Sequence, residues 1–413
     1  MGGRGMRLFG KRFIFAAAIV AGVFTANVLF ASAAKAADAT GSALFGFALA
    51  DKKTSAPSVA AYKDVIHVAW STDDGDVYVN SIGADKKVSA PVKVNTGDEK
   101  ASGPHNSPGI AVGPKGEVYV TWTNPLGDEG FEADIRISVS TDGGASFSKS
   151  VVINDNAEKS SRGFESVTVN ADGVVHVAWL DGREKIKGKS SAFYASSRDK
   201  GKTFSVNLKL SSGVCPCCRT AIVASGKDVY ASWRNVSEVS ARDMIVSVSH
   251  DNGKSFLTPV TVNDDNWILA GCPHRGPSMT VDNKGVLYYT WYSEAEEGAP
   301  AVYFAFSTDK GATFSKRQKL PYSSGRFPDH SGVMSAADGA VAVWEEKTPV
   351  VSKIFTARFS ASSGFSKPEE ISEGFRRSSD AALAVYGASI AACWNYDEMR
   401  GKRVVCKALD AKK

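Results

Sequence analysis

The feature that most constrains this chain is one pattern repeated seven times. An apolar run ending in tryptophan recurs at Trp70, Trp122, Trp179, Trp233, Trp291, Trp344 and Trp394, at intervals of 52, 57, 54, 58, 53 and 50 residues. A steady period of that length marks a chain built from one supersecondary unit laid against copies of itself. The unit is clearest from Pro277 to Leu320. It runs Pro-Ser-Met-Thr-Val, a polar turn Asp282-Asn283-Lys284-Gly285, an apolar run Val286 to Trp291, a loop, a second run Val302 to Phe306, and a closing turn Ser307 to Phe314. Short runs rich in Val, Tyr, Phe and Thr between Asn/Asp/Gly turns predict three or four antiparallel strands per unit, and helical spacing is absent.

The strand runs are apolar on nearly every residue, as in Val302-Tyr303-Phe304-Ala305-Phe306, so both faces of each sheet must be covered. Stacking sheets around an axis covers both faces, and each sheet then packs only on its neighbours. The expected fold is all-β, a seven-bladed β-propeller of four-stranded antiparallel blades. The seventh unit ends with Arg403 to Leu409 and leaves too few residues for a fourth strand. Leu44 to Ala50 is therefore expected to supply that strand and close the ring.

Ahead of the repeats, Arg4, Arg7, Lys11 and Arg12 precede an uncharged apolar run from Phe13 to Phe30 and a small-residue stretch ending at Ala36. A basic head, an apolar middle and an Ala-x-Ala ending predict a secretory signal peptide over 1–36, with residues 37–413 as a single periplasmic or secreted domain. The same segment explains the net charge of +5: without its five Lys/Arg, 44 basic side chains face 44 acidic ones. A neutral chain gives no support for a nucleic-acid partner, or for a membrane partner once the signal is cleaved.

The closing turn, Ser-x-Asp-x-Gly-x-(Ser/Thr)-Phe, stands intact at Ser140 to Phe147, Ser197 to Phe204, Ser249 to Phe256 and Ser307 to Phe314, and worn at Ser360 to Phe365. Ser and Asp can bond the backbone N–H groups of a tight hairpin, Gly supplies a positive φ, and the ring fills the gap beneath. These turns are scaffold. They resemble the Asp-box (BNR) repeats of the sialidase family, over roughly positions 57 to 410. That resemblance implies a glycan-directed propeller, with six blades as the alternative count, and, if an enzyme, a glycoside hydrolase of exo-sialidase type. Arg326-Phe327-Pro328 resembles the family's Arg-x-Pro, and Asp181-Gly182-Arg183 its Asp-x-Arg, although here the first opens the sixth unit and the second lies three units away. A tyrosine nucleophile with a carboxylate partner is implied as well. Tyr396 or Tyr292 with Glu165 or Glu294 fit by position alone, and no catalytic residue is assigned.

Because strands alternate in direction, the loops entering each first strand and those leaving each second strand share one face around the axis. An arginine stands at this entry in five successive units: Arg162, Arg219, Arg275, Arg326 and Arg377. Planar guanidiniums converging on one axis suit an acidic carbohydrate or another small anion. The competing reading pairs each with a nearby Asp or Glu and makes it a rivet between blades.

The second constellation is sulfur. Cys215-Pro216-Cys217-Cys218 and Gly271-Cys272-Pro273-His274 precede the first strands of adjacent units and should face each other. Four thiols and an imidazole form a soft donor set suited to Cu or Zn. Six cysteines in an exported chain also fit disulfides. Both readings stand for these four residues, whereas Cys393 and Cys406, on consecutive strands around one turn, are expected to form a cross-strand disulfide. These segments also look like a bacterial sialidase-like subgroup with a Cys-x-Cys-Cys motif. Two function classes follow: a propeller that binds or cleaves an acidic glycan in an Arg-lined axial pocket, and a periplasmic metal-binding or protein-interaction propeller using the cysteine cluster. No cofactor is required by the first.

Overall fold

A strand whose side chains are apolar on both faces is stable only between two others, and the chain meets this condition by closing on itself. The computed structural model describes residues 44–49, 54–103, 106–127, 131–296, 298–372, 374–375, 377–398 and 401–409. The expected export signal and Ala50, the last residue of the expected closing strand, lie outside them. Seven antiparallel sheets follow in chain order, five of them four-stranded meanders whose strands pair in sequence. Their first strands are Ser58–Tyr62, Gly109–Val112, Arg162–Val169, Ala221–Ser225, Ser278–Val281, Phe327–Ala336 and Ser378–Tyr386. Each first strand packs on the first strand of the next sheet, and the seventh packs on the first, which closes the ring. The fold is a seven-bladed β-propeller, not the six-bladed alternative.

Six sheets supply all their own strands. In the sixth blade, the outermost position is shared by Gly364–Phe365 and Glu369–Glu370, both paired with Ser352–Ser360. The seventh takes its outer strand from the other end of the chain: Phe45–Ala48 pairs antiparallel with Gly401–Leu409, Phe45 facing Cys406. In the same blade Cys393 faces Cys406 across the strands Ser389–Glu398 and Gly401–Leu409, and the two are disulfide-bonded.

The core lies in the seams. The seven repeat tryptophans are buried near the ends of the second strands, and six of them are among the largest side chains fully removed from water. Losing any one would cost about 3–5 kcal/mol by the usual scale for buried Trp→Ala changes. The closing turns work as their composition requires. The Ser140 hydroxyl donates to Asp142 and accepts from the Gly144 N–H at 2.7 Å, while Asp142 accepts from the Ser146 N–H at 2.9 Å. The same bonds recur around Asp199, Asp251 and Asp309. Phe147, Phe204, Phe256 and Phe314 each pack into the seam between their own blade and the preceding one.

The outer strand at the closure buries side chains in and beside it, with Leu44, Phe45 and Leu49 each at or below 7% exposure. Phe45→Ala should therefore lower the unfolding free energy by about 3 kcal/mol in urea denaturation. A loss under about 1 kcal/mol would show that the strand contributes little to closing the ring.

Candidate functional site

The axis carries a cavity of about 270 Å³ to which every blade contributes. Ala56 and Pro57 come from the entry to the first blade, Ser107 from the second, Phe164 from the third, Cys217 and Arg219 from the fourth, His274 to Pro277 with Tyr292 from the fifth, His330 and Ser331 from the sixth, and Asp380 and Ala381 from the seventh. These are the loops and strand starts that alternation of direction places on one face. The closing turns join third to fourth strands and so lie at the opposite ends of the blades.

Three first strands do not run straight into the cavity. Each shifts register against its partner, between Gly163 and Ser166, between Asp329 and Gly332, and between Ser379 and Ala382. At each shift a residue with a side chain adopts a positive φ: Phe164 at 56°, His330 at 28° and Asp380 at 57°, with His274 at 52° in the loop between. Such bulges re-aim a side chain, and backbone strain of this kind persists where the surroundings over-determine it. All four residues line the cavity. Strand periodicity assigns a side chain to one face or the other and does not register an extra residue, so Phe164 and Asp380 are invisible to it.

The five arginines separate into two groups. Arg219 and Arg275 line the cavity, whereas Arg162, Arg326 and Arg377 do not. The Arg162 side chain is 1% exposed, donates to Asp181 at 3.1 Å, to the Ala133 carbonyl at 2.7 Å and to Asn156 at 2.8 Å, and lies 3.5 Å from Asp134. It rivets the second blade to the third. Asp181, the acid of the Asp-Gly-Arg triplet, also accepts from Arg183 at 2.7 Å and from the Trp179 indole at 3.0 Å. Against its burial, these bonds hold the Asp181 carboxyl below the ordinary carboxylate range. Arg326 lies 3.8 Å from Glu346 and over the Phe355 ring, and Arg377 is exposed beside Ser352.

Even the cavity arginines are engaged. Arg275 grips Asp329 with two nitrogens, and Asp329 accepts also from Lys347 at 2.9 Å. Burial raises the Asp329 carboxyl, yet Arg275, His330 and Lys347 more than offset it and hold the group below the carboxylate range. Arg219 donates to the carbonyls of Glu165 and Ser107. The Glu165 carboxyl is fully buried, accepts from Thr123 at 2.8 Å, and has one oxygen without a hydrogen-bond partner. Burial pushes its pKa up, opposed by the charge of Arg219. Of the tyrosine and carboxylate candidates, Tyr292 and Glu294 are hydrogen-bonded at the cavity edge. Tyr396 packs on Phe375 away from the cavity.

The sulfur residues do converge. Cys215 Sγ lies 3.6 Å from Cys217 Sγ and 3.4 Å from Cys218 Sγ, all three buried, with Val236 and Phe164 packed around them. Cys217 also reaches the cavity wall, where it forms a second trio with the exposed Cys272 and His274, their ligand atoms within 4.8 Å of one another. The two segments meet because position 276 is glycine: a Cβ there would drive into the Arg219 carbonyl oxygen. Contacts with Cys217 and Cys218, with the charge of Arg242, push the Cys215 thiol down, and the contact with Cys215 pushes the Cys217 thiol up. The buried cysteines offer a donor set that could hold a metal ion.

An ulvan lyase, a polysaccharide lyase bound to -[GlcA(1-4)Rha3S]-, superposes with a TM-score of 0.58 at 11% identity, over 88% of this chain and 95% of its own. An α-L-arabinanase of Penicillium chrysogenum complexed with arabinobiose gives 0.52 at 16% identity over 74% and 93%. A Hadza microbial sialidase gives 0.51 at 13% identity over 82% and 73%. The likeness is one of fold. This chain is a seven-bladed propeller similar in structure to carbohydrate-active proteins, sialidases among them. No family model matches the chain, and no curated protein matches it in sequence.

The rivet at Arg162 gives a direct expectation. Arg162→Met should lower the unfolding free energy by about 3 kcal/mol, because it removes one partner from a buried ion pair and leaves Asp181 less compensated. Urea denaturation of the variant would check this, and an unchanged midpoint would overturn the assignment.

Proposed function

We propose that this chain is an exported propeller that holds a soft metal ion, Cu(I) or Zn(II), on Cys215, Cys217 and Cys218 beside its axial cavity. The carrying observation is the packing of three buried thiols with sulfurs 3.4 and 3.6 Å apart. The competing arrangement is a pair of disulfides, Cys215 with Cys218 and Cys217 with Cys272, whose sulfurs also lie close together. A bound cation satisfies all three buried thiols at once, and Arg242, donating to Cys215 Sγ at 2.9 Å, offsets part of the negative charge that three thiolates bring.

The protein recovered from the periplasm of cells expressing the full chain, with Ala37 as its first residue, should retain about one equivalent of copper or zinc per chain under reducing, anaerobic conditions. Cys215→Ser combined with Cys218→Ser should remove it. Metal at a thousandfold excess over Kd should stabilise the wild type by about 4 kcal/mol. A wild type that retains no metal, or a disulfide formed quantitatively among these cysteines, would overturn the reading.

A second reading has an acidic glycan in the axial cavity. It is carried by Arg219 and Arg275 facing that space among strained residues from several blades, and the ulvan lyase with the same fold binds -[GlcA(1-4)Rha3S]-. The engagement of Arg275 by Asp329 weighs against it. Calorimetry with a uronate-containing oligosaccharide and turnover of a fluorogenic sialoside would test it. This reading expects binding lost in Arg219→Ala, and no heat and no turnover with the wild type would exclude it.

A further inference from the structure

We infer that the five donors form two stations for one Cu(I) ion, an outer one of Cys217, Cys272 and His274 and an inner one of Cys215, Cys217 and Cys218, with the ion passing between them on the shared Cys217 sulfur. The inference rests on the metal reading above and adds how the buried set is loaded and unloaded.

Cys217 belongs to both trios and is the inner thiol that lines the cavity. The other inner sulfurs are closed off, Cys215 at 1% exposure and Cys218 at 0%. Cys272 lines the adjoining crevice with Arg275 and Tyr292, and His274 lines the cavity itself. An ion arriving along the axis therefore meets the outer donors first. Within each trio the donor atoms lie within 4.8 Å of one another. An ion bonded to sulfur at about 2.3 Å in a trigonal plane needs donors roughly 4 Å apart, so either trio could close on it with small movements. Each trio offers three donors among the described residues, fewer than the four of a closed tetrahedral zinc site, and soft thiolates favour Cu(I).

Electrostatics give the transfer a direction. The inner station is flanked by Arg242, which donates to Cys215 Sγ at 2.9 Å. Three thiolates and Cu(I) carry a net charge of −2, part of which the Arg242 guanidinium offsets. The outer station has Arg275 nearby, but Asp329 already neutralises it. The inner station is the resting place and the outer one the exchange point.

No electrons move. On arrival, Cu(I) bonds to the sulfurs of Cys217 and Cys272 and to a ring nitrogen of His274, and the displaced protons pass to water. On transfer, the bonds to Cys272 and His274 break while bonds to Cys215 and Cys218 form. Cys272 takes back a proton from water, and any proton still on Cys215 or Cys218 is released. The Cys217 bond persists throughout, so the ion is never without a thiolate.

The test uses anaerobic stopped-flow with Cu(I) supplied as its bicinchoninate complex to the mature, reduced protein, followed by equilibrium competition and X-ray absorption. The double variant Cys272→Ser, His274→Ala should hold one Cu(I) with the wild-type competition midpoint and three sulfur neighbours, yet take it up at least about tenfold more slowly. Cys218→Ser should hold Cu(I) more weakly, with two sulfur neighbours and one nitrogen. Uptake by the double variant at the wild-type rate would overturn the relay, and so would complete loss of binding, which would make the five donors one site. Uptake at the wild-type rate leaves the metal reading intact, complete loss of binding moves its site to all five donors, and a wild type that takes no Cu(I) from the complex removes that reading itself. Equal melting temperatures of the metal-free proteins would establish that the variants fold.

Discussion

Everything in this molecule depends on burying two faces of each sheet at once. A sheet with Trp, Tyr, Phe and Val on both sides cannot stand in water, and a row of such sheets still leaves two bare ends. The ring removes the ends. It closes where Phe45–Ala48 pairs with Gly401–Leu409, and there Leu44, Phe45 and Leu49 are buried while a disulfide joins the seventh blade's two neighbouring strands.

The same geometry explains the fate of the charges. Where two sheets wedge together, a long cationic side chain can fill the gap only if its guanidinium is matched in place, because an unpaired buried charge costs several kcal/mol. Arg162, Asp181, Asp134 and Arg183 form such a matched set between the second and third blades, and Arg317 with Asp265 serves the fourth and fifth. Arginine at a blade entry is thus first a device for holding blades in register. The axial wall shows a gradation of the same device: Arg275 is neutralised by Asp329 and Arg219 rests on backbone carbonyls. The thiols stand apart, since nothing about packing blades calls for three sulfurs in contact.

Local irregularity builds the site. A regular first strand would send its side chains into the flanking seams, whereas the register shifts near Phe164, His330 and Asp380 turn single residues into the axial space. The glycine at 276 performs a complementary task by letting one backbone run hard against another, which brings the loop bearing Cys272 and His274 to the loop bearing Cys217.

What the sequence determined alone was whatever repeats. The tryptophan spacing specified seven sheets, the double-sided apolar runs required a ring, and the Ser-x-Asp-x-Gly turns could be assigned a structural role without coordinates. Cys393 and Cys406 were legible too, since a short hairpin sets their distance. The tertiary structure decided which of five equivalently placed arginines face the axis, which residues the bulges add, and that Cys217 joins two donor sets. The reason is physical. A repeat encodes contacts between neighbours that recur identically around the ring, while a site is made by departures from the repeat, each depending on how blades far apart in sequence happen to approach.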